Sequence, residues 1–165
     1  MAVDMFLKID GIDGDSNAVK HKGEIEIMSF SWGLTQTGSH GSGGGGGAGK
    51  VQVNDFSIVK QLSLSSPALM EKCCTGEHIP SVTMTLVNKE TREEFYKIKL
   101  TDVLISSYQT GGAGGGGAVP MDQVSFNFRD MDLQASGKNG GSQVSCNFNG
   151  IKEAISGQAN HNHHD

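Results

Sequence analysis

Three features of the sequence predict a mainly-β chain that closes as a small barrel, with one short α-helix at its side. Apolar and polar residues alternate with a period of two through about seven short segments. Turn-forming residues separate these segments at close spacing, as in sandwiches and barrels. Within several segments the apolar set jumps from odd to even positions. A strand that changes its buried face partway is bulged or bent, as at a barrel corner.

Val3, Met5, Leu7 and Ile9 alternate in the first strand, which ends at Asp10-Gly11. Gly11 to Lys22 is polar, with Asp13, Gly14 and Asp15 as turn formers. The segment Gly23 to Leu34 (GEIEIMSFSWGL) organises the chain. Ile25 and Ile27 take one face, then Met28, Phe30, Trp32 and Leu34 take the other. Either the strand bends here, or both faces are buried in different places and a neighbouring subunit covers the second. Phe30 and Trp32 are on that account the candidate subunit-interface residues. Small polar Ser29 and Ser31 lie opposite them.

Thr35 to Lys50 has no apolar periodicity and reads as a long loop of about 16 residues, a length that calls for a function. Val51 and Val53 share one face and Phe56, Ile58 and Leu62 the other, which repeats the switch. Next comes the helix. Ser66 suits its N-cap, Pro67 its first position and Gly76 the residue past its end. Leu69, Met70, Cys73 and Cys74 form its apolar stripe.

Val82, Met84 and Leu86 begin the following strand, and Asn88 to Thr91 turn it. Tyr96, Ile98, Leu100 and Leu104 alternate along a long strand reaching about Tyr108, whose far end is made apolar on both sides by Val103 and Ile105. Thr110 to Val119 is a second glycine loop. Val124, Phe126 and Phe128 alternate, and Met131 and Leu133 switch phase again. After a turn at Gly137 to Ser142, the last strand carries Val144, Cys146 and Phe148. Residues 1–156 are expected to form a single domain, and the polar tail 157–165 to be disordered.

Composition bounds the function. The chain has 165 residues, a formal net charge of −5 and 36% hydrophobic residues. That charge lacks the basic stripe of a nucleic-acid binder. No apolar run approaches the ~18 residues of a membrane span, so no membrane insertion is expected. The N-terminus MAVDMFLKID carries charge at Asp4 and Lys8 and does not read as a cleaved secretion signal. Cys73, Cys74 and Cys146 are odd in number and lack metal-ligand spacing, which suits synthesis in a reducing compartment. The 24 glycines are about twice the usual ~7% share.

No catalytic site emerges. Gly44 to Lys50 (GGGGAGK) matches the first seven positions of a phosphate-binding loop, but Val51 stands where Ser or Thr should hold Mg²⁺. The sequence after it is strand-like, so no helix N-terminus would face an anion. His21, His40 and His78 pair with no Cys or carboxylate at ligand spacing, and the tail HNHHD reads as surface; no metal or other cofactor is expected. Cys73 and Cys74 read as helix packing instead of reactive thiols. Asp130 and Asp132 share a strand face, where a solvated edge explains them better than an acid–base pair. What remains is surface, and glycine loops with strands apolar on both faces point to assembly.

The segments SFSWGL, GSGGGGGAGKVQVNDFSIVKQL, SPALMEKCCTGEHIPSVTMTL, LTDVLISSYQTGG and DQVSFNF resemble the haemolysin-coregulated protein family, the tube proteins of bacterial type VI secretion. The resemblance runs from Ala2 to about Ile155. It implies a β-barrel of two sheets with a helix at one side and a protruding loop. It further implies homo-hexameric rings that stack into a tube inside a contractile sheath, capped by a spike protein, with secreted effector proteins carried in the lumen. The protein would leave the bacterial cytoplasm folded, without a cleaved signal.

By the same resemblance, Ser29 and Ser31 would line the lumen and touch effectors. The loop bearing Thr37, His40, Gly44, Gly47 and Lys50 would contact the next ring. The chain departs from the family in its second glycine loop, which lacks the expected acidic residues, and in the segment after Asp132. The competing readings are a monomeric ligand-binding barrel of lipocalin type and an enzyme using the Gly44–Lys50 loop.

Overall fold

The computed structural model describes residues 2–38, 51–137 and 140–147. The strands are β1 (Val3–Ile9), β2 (Ile25–Ile27), β3 (Ser29–Ser31), β4 (Leu34–Gln36), β5 (Val51–Val53), β6 (Phe56–Gln61), β7 (Ile79–Asn88), β8 (Glu94–Gly111), β9 (Met121–Gly137) and β10 (Gly140–Asn147). The helix α1 (Ser66–Thr75) lies between β6 and β7. Among the described residues, one eight-stranded antiparallel sheet runs β2-β1-β7-β8-β9-β6-β3, and β10 pairs with the C-terminal half of β9. A separate two-stranded ribbon joins β4 to β5.

The two ends of the eight-stranded sheet are neighbours in sequence. β2 pairs with β1, β3 pairs with β6, and only Met28 separates them. Its N–H donates to the Val59 carbonyl at 2.7 Å, so the chain changes partner within one residue and curls the sheet into a nearly closed barrel. The phase switch in GEIEIMSFSWGL is therefore a corner. Ile25 and Ile27 are buried before it, Met28 is exposed at it, and Phe30 and Trp32 turn back onto the core after it.

The other switches coincide on one line. Pro80, Asp102 and Arg129 occupy a row left out of the pairing, since Ile79 pairs Val103 and Ser81 pairs Thr101, while Val103 pairs Phe128 and Thr101 pairs Asp130. Residues buried on either side of this row change parity in all three strands: Ile79 against Val82, Val103 against Leu100, Phe128 against Met131. Asp102 makes the crease with φ 54°, a left-handed conformation costly to most side chains. A second irregularity falls at Ser106 on β8, between the paired Ile105 and Ser107. There Asp55 accepts hydrogen bonds from Ser106 Oγ at 2.6 Å and Asn127 Nδ2 at 3.1 Å.

The interior is filled. Leu7, Ile25, Phe56, Ile58, Met84, Ile98 and Phe126 are fully enclosed and belong to a single cluster. Leu69 anchors the helix to this cluster. Gly76 ends the helix at φ 69°, its N–H donating to the Lys72 carbonyl at 3.0 Å.

Ser65, not Ser66, is the N-cap, and Ser66 is already helical with its hydroxyl used elsewhere. The apolar stripe is also narrower than read. Cys73 is half-buried against the core, but Cys74 and Met70 are exposed, as is Leu62 beyond the end of β6. The loop residues 39–50, Phe148 and the tail 157–165 lie outside the described residues.

Candidate functional site

Cross-strand partners in a sheet point to the same side. The register therefore builds a face that no single segment reveals. Ser31 on β3 pairs Ser57 on β6, Ser57 pairs Ser125 on β9, and Ser125 pairs Ser107 on β8. The next outward row is Ser29, Val59, Gln123 and Gln109. These eight side chains carry no formal charge, and all are exposed or half-buried. Ser57 and Ser125 share a hydrogen bond of 2.8 Å between their hydroxyls. Asp55, a carboxylate beside the rows, is engaged by Ser106 and Asn127.

The opposite side of the same strands is core. Phe30, Ile58, Val124 and Tyr108 form one inward row, and Phe30 stacks on Phe56 at 6.0 Å and Tyr96 at 6.2 Å. The next inward row places Lys60 against Asp122 beneath the start of α1, both with 0% exposure. Lys60 Nζ lies 2.9 Å from Asp122 Oδ2 and donates to Ser66 Oγ at 3.0 Å, Ser63 Oγ at 3.1 Å and the Gln61 carbonyl at 3.0 Å. Ser66 Oγ in turn donates to Asp122 Oδ2 at 2.5 Å.

Burial by itself would raise the Asp122 carboxyl. Hydrogen bonds from Ser66 and Lys60 outweigh that effect and hold it below its ordinary value. The nearby hydroxyls of Tyr108 and Thr110 act in the same direction, although neither meets Oδ1 with good hydrogen-bond geometry. Tyr108 itself is pushed up, first by burial and then by the adjacent carboxylate, with Ser66 opposing. Lys60, Asp122 and Ser66 are buried and tie the helix to the sheet.

A mainly-β barrel with a side helix and an uncharged hydroxyl face can be compared with known proteins. The profile of the family described as type VI secretion system effector, Hcp, matches residues 6–134. The chain belongs to the Hcp family. It is 40% identical over 156 residues to protein hcp1 of Pseudomonas aeruginosa, covering 90% of this chain and 96% of that relative. The crystal structure of Hcp1 from Salmonella typhimurium is similar in fold, with a TM-score of 0.78 and 31% identity over 90% of this chain and 96% of the other. A type VI secretion system effector from Yersinia pestis gives a TM-score of 0.72 at 29% identity, over 87% of this chain and 99% of the other. Membership in this family places the chain in type VI secretion, as a secreted protein.

On this Hcp fold the sequence-named residues fall into three groups. Ser29 and Ser31 are exposed at one end of the uncharged rows. Phe30 and Trp32 are half-buried and packed on the chain's own core, which leaves only part of each ring for a neighbour. Of the loop residues, Thr37 is exposed just past the β4–β5 ribbon, while His40, Gly44, Gly47 and Lys50 lie outside the described residues. The segment after that loop is strand β5, so the context of a phosphate-binding loop fails. Among the described residues, no three His, Cys, Asp or Glu side chains converge to hold a metal ion.

Sequence reasoning missed Ser57, Ser107, Ser125, Gln109 and Gln123. Their signal was present as serines alternating with apolar residues in DFSIV and VSFNF. Only the register shows that they meet.

Proposed function

We propose that this chain is a structural subunit, not an enzyme, whose copies assemble as a homo-hexameric ring that stacks into a secreted tube. The uncharged face of Ser29, Ser31, Ser57, Ser107 and Ser125 supports this reading most directly. Hydroxyls and carboxamides accept hydrogen bonds from varied partners, and without formal charge they reject cargo of neither sign. In the proposed ring this face lines the lumen, and effector proteins touch Ser29 and Ser31. The loop with Thr37, His40, Gly44, Gly47 and Lys50 meets the next ring, and the uncovered edges of Phe30 and Trp32 meet the adjacent subunit. Spike and contractile sheath complete the set of partners. The chain is made in the cytoplasm and leaves it folded.

A monomeric ligand-binding barrel would need a hollow interior, and Phe56, Phe126, Ile98 and Met84 fill this one. The deciding experiment is light scattering on the purified protein, followed by negative-stain images of the main peak. A mass of six subunits and particles with a central hole are expected. A monomer at every concentration would overturn the ring.

A further inference from the structure

The loop before β2 presents two features side by side that the ring reading does not use. The first is a knob. Val19 is 93% exposed, and Lys20 and Lys22 are exposed with no ion pair inside the chain among the described residues. Between the lysines, His21 is buried, its ring stacked on Phe6 at 4.5 Å and 4°. Its Nδ1 lies 3.0 Å from Glu24 Oε1 and its Nε2 3.2 Å from Glu94 Oε1.

The backbone is fixed as well. The His21 N–H donates to the Ala18 carbonyl at 3.0 Å and the Gly23 N–H to the Ser16 carbonyl at 2.9 Å. A Cβ on Gly14 would lie 2.4 Å from the Glu24 carbonyl oxygen, so glycine alone permits the close approach that shapes this loop. The backbone of the knob is therefore pre-organised, and docking has to order its side chains but not its main chain.

The second feature is a groove that starts at Asn17 and Ala18 of the same loop and runs to the β2–β3 corner and the end of β6. Its carboxylates Asp15 and Glu26 have no cationic partner within the chain among the described residues, and its exposed apolar side chains are Met28 (56%) and Leu62 (46%). Asp4, at one end, is already shared by Lys89 at 3.5 Å and Arg92 at 3.4 Å. A largely polar groove with unpaired negative charge and two exposed apolar side chains, Met28 and Leu62, suits an apolar side chain followed by lysines, and Val19 with Lys20 and Lys22 has that form.

We propose that the occupant of this groove is the Val19 knob of a second copy, and that the contact is reciprocal. Knob and groove share one loop, so a neighbour that offers its knob also presents its groove. The contact is isologous and two-fold, and it saturates when two copies have met. Its two-fold symmetry differs from that of the head-to-tail contacts of a ring, so it links rings, or single chains, in pairs. Surface charges supply much of the selectivity, so salt weakens it.

The test uses sedimentation velocity on the full chain and two variants, K20E/K22E and D15K/E26K, with circular dichroism as the check on folding. Wild-type protein should show a species of twice the basic mass at low salt that disappears at high salt. Each variant alone should lose that species, because knob and groove then carry the same sign. Mixing the two variants should restore it, since both reciprocal contacts become complementary. A wild type that never doubles, a doubled species indifferent to K20E/K22E, or a mixture that fails to restore it would each overturn the pairing. The basic mass is read in the same runs, so a failed ring and a failed pair give different answers.

Discussion

Lys60 and Asp122 illustrate how a single buried pair ties a helix to a sheet. Removing one partner of such a pair strands a charge in the interior, at a cost of about 3–5 kcal/mol. Asp122→Asn should therefore lower the unfolding free energy by about that amount in urea titrations at neutral pH, with the fold retained. The sign of the pH dependence follows from the depressed carboxyl. In the unfolded chain Asp122 titrates near its ordinary value of 3.8, and in the folded chain below it. Its contribution is complete above 3.8 and is lost as the pH falls through the folded value. The gap between wild type and Asp122→Asn should narrow in acid below that point. A gap constant across the acid range would show that the charge is not what stabilises. Replacing both partners with apolar residues should cost less than Asp122→Asn alone, because no unpaired charge then remains.

At the level of elements, the crease through β7, β8 and β9 depends on the left-handed Asp102. His78 Nδ1 at 2.6 Å and Arg129 Nη1 at 3.7 Å hold its carboxylate, but all three groups are substantially exposed and their attraction is worth little. Backbone conformation should dominate. Asp102→Val, β-branched and unsuited to positive φ, should destabilise by about 1–3 kcal/mol, whereas Asp102→Gly should be neutral or slightly stabilising in thermal melts. Equal losses for both would place the cost in the ion pairs instead. Most of the strands were legible from alternation alone, because Leu7, Ile98 or Phe126 has no favourable position except the core. Lys60 was not legible, since a lysine between apolar neighbours reads as surface unless its buried partner, some sixty residues on, is known. Ser66 misled in the same way: as a serine before Pro67 it reads as a cap, but Asp122 claims its hydroxyl.

For the whole molecule, the candidate face shows why sequence carries function only in part. Ser31 was visible as a small residue opposite Trp32, yet its row is assembled from four strands that span residues 31 to 125, and no local pattern encodes that meeting. If the row lines a lumen, Ser31→Trp should leave the mass of the assembly unchanged while reducing cargo export several-fold, read by quantifying cargo outside the cell. Export at the wild-type level would remove Ser31 from the cargo surface. The crease has a consequence of another kind. A plate folded along one line resists being rolled about an axis perpendicular to that line. The row Pro80–Asp102–Arg129 runs across β7, β8 and β9, so it opposes tightening or flattening of the wall these three strands form. Under side load that wall should keep its curvature better than an uncreased one, a local stiffness that a chain with 24 glycines would not suggest.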